Sequence, residues 1–266
     1  MNRAVPLLAL ALLCGCAAVD RTGGVPTAAR SELAPTGKLR VGLIAVNPIF
    51  VTPNTPPGVT TGVAVDIAAE LAKRIDVPME PLRYPTVGAL VESAGKEEWD
   101  IAFLAIDPER AEMMNFTAAY MFTQNTFLVP AASTARGIED LDKPGKTIAT
   151  FARSAQEIWL KKNAKSATLV SASSPAAAYQ MLREGKVDAV TSVGLLLAEG
   201  AKEVPGSRVL PGSYSDTPIG MAVAKKRPAA YAYAYEFIED MKKSGAVREA
   251  ITRANLVGVR AADPLR

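Results

Sequence analysis

Between Lys38 and Ile106 the apolar residues switch repeatedly between two spacings, and this alternation restricts the fold more than any other feature. Lys38-Leu39-Arg40-Val41-Gly42-Leu43-Ile44 alternates as a strand does. GVAVDIAAELAKRI then places Ile67, Leu71 and Ile75 at i, i+4 and i+8, on one face of a helix. Asp66 falls where an N-cap or first-turn acid belongs. The stretch 78–84 returns to strand, Thr86 caps a helix over Val87, Leu90 and Val91, and 101–106 is a third strand. Strands separated by helices of this size pair in parallel and are covered on both faces, which defines a three-layer α/β domain.

The rhythm restarts further on. After Tyr120 comes an apolar extended stretch, Asn125-Thr126-Phe127-Leu128-Val129-Pro130. Strands are then expected over 147–150, 168–171 and 187–191, with helices over 155–162, 175–184 and 195–202. Ser154-Ala155-Gln156-Glu157 is a capping-box pattern, Ser174-Pro175 an N-cap followed by proline at N1, and Gly185 a C-terminal stop. A second extended stretch over 217–224 precedes two closing helices, 228–243 and 246–255. Two similar lobes account for the repeated rhythm.

Composition narrows the chemistry. The 266 residues include no histidine, which removes Ser-His-Asp triads, Cys-His pairs and His-based zinc sites. Both cysteines, Cys14 and Cys16, lie near the N-terminus, so the body of the chain holds no disulfide. A net charge of +3, from 30 basic and 27 acidic residues, is too balanced to argue for nucleic acid. No metal site or cofactor is expected.

MNRAVPLLALALLCGCAAVD has Arg3, a short apolar run and then small residues, the layout of a secretory signal peptide. Leu13-Cys14-Gly15-Cys16 resembles a bacterial lipobox, which implies lipidation of Cys16 and a membrane anchor. Ordinary cleavage after Ala18 is the alternative. The expected organisation therefore begins with a signal peptide over 1–16 and a flexible, Thr/Gly/Pro-rich tether over 17–36.

Four segments, in order, resemble the periplasmic solute-binding proteins of ABC importers, family 3, the polar amino-acid-binding group. GVAVDIAAELAKRI is similar to that family's GFDVDLAKALAKRL block. DIAFLAIDPERAEMMNFTAAY is similar to its block ending in T-P-E-R and F-S-x-P-Y. LDKPGKTIATFARSAQEIW resembles L-x-GKxVGVxxGTTxE, and MLREGKVDAVTS resembles L-x-x-G-x-VDA. The resemblance implies an α/β, two-lobed periplasmic-binding-protein fold of type II, with two hinge crossings between the lobes that fall near 125–130 and 217–223. Lobe 1 is then 37–126 together with 220–266, and lobe 2 is 127–219. It further implies a monomer without enzymatic activity, located in the periplasm or cell envelope. Such a protein captures a small carboxylate-bearing solute by hinge closure and delivers it to an ABC permease in the inner membrane.

The site follows from the same matches. Arg110 sits at the family's carboxylate-binding arginine, and a guanidinium grips a carboxylate through a planar fork. Read from the residues alone, Arg110 is rather a surface arginine at a helix N-terminus pairing with Glu109 or Glu112; it is the resemblance that favours the binding role. Ser154 and Ala155 match a helix N-terminus that meets the ligand with backbone N–H groups. Departures surround them. Ala105 and Phe103 stand where the family has hydroxylated or polar residues. Val193, beside Ser192, stands where it has the acid that binds the α-ammonium. The expected ligand is accordingly an amino acid or a deaminated, apolar analogue, with Asp216 as the nearest replacement acid and Phe50 as a covering aromatic. Two other functions compete. One is a cyclohexadienyl dehydratase-like enzyme, whose acid would be Glu157, Asp216 or a lysine. The other is a sensor linked to a membrane receptor.

Overall fold

The computed structural model describes residues 24–44, 47–52, 60–152 and 154–265. The expected signal peptide, Cys16 and the tether's first residues, 17–23, lie outside the described residues. In chain order the first elements are α1 (Thr27–Leu33), β1 (Leu39–Ile44), α2 (Val63–Arg74), β2 (Met79–Tyr84), α3 (Val87–Glu92), β3 (Ile101–Ala105), α4 (Pro108–Met113), β4 (Met114–Phe116) and β5 (Met121–Val129). There follow α5 (Ile138–Leu141), β6 (Thr147–Phe151), α6 (Ala155–Asn163), β7 (Thr168–Ala172), α7 (Pro175–Arg183), β8 (Ala189–Val193), α8 (Gly194–Gly200) and β9 (Arg208–Val209). The chain closes with β10 (Ser215–Ala224), α9 (Pro228–Lys243), α10 (Ala246–Arg253) and β11 (Val259–Ala261).

The strands run in the order β2-β1-β3-β10-β5-β8-β6-β7. In lobe 1, β1 lies parallel to β2 and β3. Ile67, Leu71 and Ile75 form the buried stripe that the helical spacing predicts. Thr86 caps α3, accepting from the Ala89 amide at 3.1 Å. That helix approaches β1 closely: a Cβ on Gly42 would stand 2.7 Å from Leu90 Cδ1. In lobe 2, β6 lies parallel to both β7 and β8. The alternation of a strand sorts its residues into two cores, Phe127, Ile148 and Ala189 on one face and Leu128, Ala149 and Val190 on the other.

The middle of the sheet joins the lobes. β10 runs antiparallel to β3 from Ile219 to Val223 and antiparallel to β5 from Ser215 to Ile219. β5 leaves β10 and takes up β8 at Asn125, which is paired with both Ser215 and Val193. Two strands thus pass between the lobes, close to the stretches expected for the crossings.

Two expectations change. The strand expected over 187–191 lies at Ala189–Val193, its pairing with β6 beginning at Ala189 opposite Ile148, with the Asp188 side chain bonded to Thr147 and Lys146 at the entrance. The expected tether contains α1, whose Ala29 and Leu33 are buried against α9. Two turns of helix with only two buried positions leave no readable period. Polar contacts complete the docking: Glu32 accepts from the Ala230 amide at 2.9 Å, and Arg227 donates to the Glu32 carbonyl at 3.0 Å.

Asp100, 0% exposed, is the charged hub of lobe 1. Arg40 reaches it through its backbone N–H at 2.9 Å and through Nε and Nη2 at 3.0 and 2.8 Å. Arg227 Nη1 adds a bond of 2.6 Å. The hydrogen bond to Asp100 raises the Arg40 pKa, against the effect of burial. A buried carboxylate held by two guanidiniums ties β1, β3 and the start of α9 together. Removing it strands two cations, so Asp100→Ala is expected to cost about 3–5 kcal/mol in urea unfolding.

Candidate functional site

A cleft of about 510 Å³ opens between the lobes, at the mouths of β1, β3, β6, β7 and β8. This is where open α/β sheets collect ligands, outside the carboxyl ends of their parallel strands. Both lobes and both crossing strands contribute to its lining.

Lobe 1 supplies the charge. Asp107 is the N-cap of α4 and accepts from the Glu109 and Arg110 amides at 3.0 and 3.2 Å, with Pro108 setting the first turn. This cap turns Arg110 back toward the strand it follows, where Nη1 donates to the Ala105 carbonyl at 3.0 Å. The arginine is buried and lines the cleft. Burial lowers its pKa from the ordinary value, while Asp107 and Glu109 act in the opposite sense. Guanidinium nevertheless stays charged at any ordinary pH. The Arg110 side chain lies inward at the cleft rather than on the surface.

Lobe 2 faces this cation with helix ends. Ser154 caps α6, accepting from the Glu157 amide at 3.1 Å, and Ser174 caps α7, accepting from the Ala177 amide at 3.2 Å. Ser154, Ala155 and Gln156 line the cleft from one end, Ser173, Ser174 and Pro175 from the other. The first N–H groups of a helix have no partner within it and carry the positive end of its dipole. The walls between are apolar, with Phe50, Ile49, Leu104, Phe151 and Ile219 among them. Phe50 is held by the returning loop: Gly62, at φ 138°, packs so closely that a Cβ there would lie 2.4 Å from the Phe50 carbonyl oxygen.

Of the residues expected from the sequence, Arg110, Ala105, Ser154, Ala155, Phe50, Ser192 and Val193 come together around this cleft. Phe103 and Asp216 do not. Phe103 sits two residues deeper along β3, fully buried and edge-to-face with Tyr120 at 5.8 Å. Asp216 is not among the described lining residues and forms an ion pair with Arg260 of β11 at 2.9 Å. Glu157 is also occupied, near Thr150 Oγ1 at 3.4 Å and Lys161 Nζ at 3.3 Å.

Sequence reasoning missed Gln156, Thr123 and Thr217, which line the cleft, and Asn125 behind them. The available signal was polar residues inside strands otherwise apolar, in FTQNTFLVP and SDTPIGMAV. Arg110 is the only charged side chain among the described lining residues, and no Asp or Glu is among them. No cluster able to hold a metal ion occurs among the described residues. No helix among them is long and apolar enough to cross a membrane.

Cleft, crossings and sheet order together define a two-lobed solute-binding protein. The family model for bacterial extracellular solute-binding proteins, family 3, matches residues 39–254, and the chain belongs to this family. Among its relatives, the glutamine-binding protein of Geobacillus stearothermophilus is 28% identical over 237 residues, covering 84% of this chain and 90% of that one. The L-cystine-binding protein TcyJ of Escherichia coli K12 is 25% identical, covering 82% of each chain. Among solved structures, the ancestral amino acid-binding protein AncCDT-1, a precursor of cyclohexadienyl dehydratase, superimposes with a TM-score of 0.69 at 26% identity, covering 84% of this chain and 97% of that one. A binding component of an ABC transporter from Wolinella succinogenes, complexed with lysine, gives 0.68 at 27% identity, covering 82% and 95%. These likenesses establish the type II fold.

The different placements of Phe103 and Asp216 have measurable consequences. Phe103→Ala is expected to cost about 3–5 kcal/mol of stability, as for an aromatic lost from a packed core. Asp216→Asn breaks a half-exposed pair and is expected to cost less than about 1 kcal/mol. Urea unfolding curves of the two variants check both values.

Proposed function

We propose that this protein is the solute-binding component of an ABC importer and captures a small carboxylate-bearing solute between its lobes by hinge closure. The observation that carries the reading is Arg110, a buried cation facing two helix N-termini across a cleft whose described lining contains no acid. A carboxylate entering this cleft meets charge of the right sign from both lobes. The guanidinium offers hydrogen bonds from lobe 1 and α6 offers backbone donors from lobe 2, so a solute bound to both favours the closed arrangement.

The same geometry argues for a solute without an α-ammonium group. At an effective dielectric constant near 20, two like charges about 4 Å apart repel by roughly 4 kcal/mol. An ammonium held near Arg110 would meet that repulsion with no carboxylate in the described lining to offset it. Val193, at the end of β8, presents an apolar surface where an acid would be needed. The relatives named for glutamine, cystine and lysine bind solutes that carry this group, and the present cleft differs from that requirement. The favoured class is therefore the deaminated or otherwise apolar carboxylates.

Lobe 1 is taken as 37–126 with 220–266, and lobe 2 as 127–219. The mature protein is read as a monomer in the periplasm or cell envelope, docking on an inner-membrane permease and anchored through Cys16. Its N-terminal segment lies outside the described residues, so the anchor rests on the lipobox-like sequence alone. Metabolic labelling with a palmitate analogue is expected to mark the wild type and to be lost in Cys16→Ser. Labelling that survives this change removes the anchor.

The solute reading is tested by thermal shift and calorimetry. Leucine and phenylalanine are compared with their α-keto acid analogues, since a ligand at a hundred times its Kd adds about 2.7 kcal/mol to stability. The keto acids are expected to bind and the amino acids to bind at least tenfold more weakly. Arg110→Ala is expected to remove about 2–5 kcal/mol of binding free energy. Val193→Asp is expected to reverse the preference toward the amino acid. Retained affinity in Arg110→Ala would sink the carboxylate assignment, and equal affinity for both members of each pair would sink the amine-free one. Conversion of prephenate to phenylpyruvate would replace binding with catalysis.

A further inference from the structure

A chain of buried hydrogen bonds crosses the point where the sheet passes from one lobe to the other. Asn125 is 1% exposed and is not among the residues lining the cleft. Its Nδ2 donates to Thr217 Oγ1 at 2.7 Å and to Ser215 Oγ at 3.1 Å, both on β10. Its Oδ1 accepts from Gln156 Nε2 at 2.6 Å. Gln156 belongs to the first turn of α6 in lobe 2, while Thr217 lies on the crossing strand opposite Thr123. Both Gln156 and Thr217 line the cleft. One connected path of polar groups therefore runs from the lobe 2 cleft wall, behind the surface, to the crossing strand and back to the cleft.

Such a path does not loosen gradually. Asn125 is shielded from water, so a rotation that breaks one of its bonds leaves a buried donor or acceptor unsatisfied unless the whole path rearranges. A packed element of this kind has discrete arrangements rather than a continuum. The neighbouring residue makes the contrast. Thr126, also buried on the same strand, donates instead to the Leu210 carbonyl at 3.0 Å, outside this path.

We propose that Gln156, Asn125 and Thr217 form a hinge relay. Asn125 is a positioning residue that holds the cleft end of α6 at a set angle to the crossing strands. Gln156 and Thr217 are the points at which a bound solute acts on that angle. The relay rests on the hinge-closure reading above, and its test uses no solute, so failure of the ligand screen and failure of the relay are distinguishable.

The full chain carrying Cys14→Ser and Cys16→Ser is spin-labelled at Lys73→Cys in lobe 1 and Lys202→Cys in lobe 2, where the native side chains are 82% and 71% exposed. Double electron–electron resonance then reads the interlobe distance. Asn125→Leu, Gln156→Met and Thr217→Val are each expected to shift or broaden the distribution by several ångströms. Thr217→Ser keeps the hydroxyl and is expected to retain the wild-type distribution, as is Thr126→Val, although the latter loses a buried hydrogen bond. Gln156→Met and Thr217→Val leave Asn125 in place and keep the test open if Asn125→Leu does not fold. Wild-type distributions in both overturn the relay, as does an equal shift in Thr126→Val.

Discussion

The antiparallel pairing of β5 with β10 is the interaction on which the rest of the molecule depends. Each lobe completes its own parallel sheet, β2-β1-β3 on one side and β7-β6-β8 on the other. Among the described residues the two parallel sets are hydrogen-bonded into one sheet through these two strands. Only antiparallel strands can be shared in this way, because each must leave one lobe and enter the other while facing its neighbour. The geometry also makes the cleft. The parallel strands of both lobes end beside the crossings, and their loops and helix N-termini meet above them.

Charge is distributed unevenly over this frame. Lobe 1 places its buried carboxylate, Asp100, at the far end of β3, where Arg40 and Arg227 neutralise it. At the opposite end of the same strand Arg110 lies buried at the cleft, where it donates to the Ala105 carbonyl. The first arrangement holds lobe 1 together at a site remote from the solute. The second places a cation where the solute is proposed to arrive, with helix ends rather than acids across from it. The affinity of the proposed site for anions therefore comes from permanent charges and dipoles that need no titration.

Much of the fold was legible because it follows from period. Strand and helix spacings over 38–106 needed only the pattern of apolar residues, and the caps at Thr86, Ser154 and Ser174 were readable as local chemistry. What escaped depended on distant partners. Helix α1 is set by burial of Ala29 and Leu33 against α9 and by Glu32 reaching Ala230, none of which has a local signature. The start of β8 was misread because it is set by the register with β6, in which Ala189 pairs with Ile148, and that register has no local signature. Within the site, Arg110 and Ser154 were legible through motif and cap. Phe103 was misplaced because strand position alone does not say how far from the mouth a side chain lies. Asn125 and Thr217 were overlooked because an extended stretch reads as backbone, while their importance lies in side chains that meet across 92 residues of chain.

The chemistry of the crossing makes sense beside that of the lobes. An ionic hub such as Asp100 is costly to disturb, since parting its members leaves charges buried, and such a hub suits an element that must stay fixed. Neutral amides and hydroxyls cost less to rearrange and can exchange partners while remaining hydrogen-bonded. Asn125 offers one acceptor and two donors, and its partners Ser215 and Thr217 can each donate or accept. A path made of such groups suits the hinge closure proposed above, whereas a salt bridge at the same place would be costlier to part. A charged hub within a lobe and the proposed neutral relay between lobes would together keep the ends of the sheet rigid while its centre bends in the proposed closure.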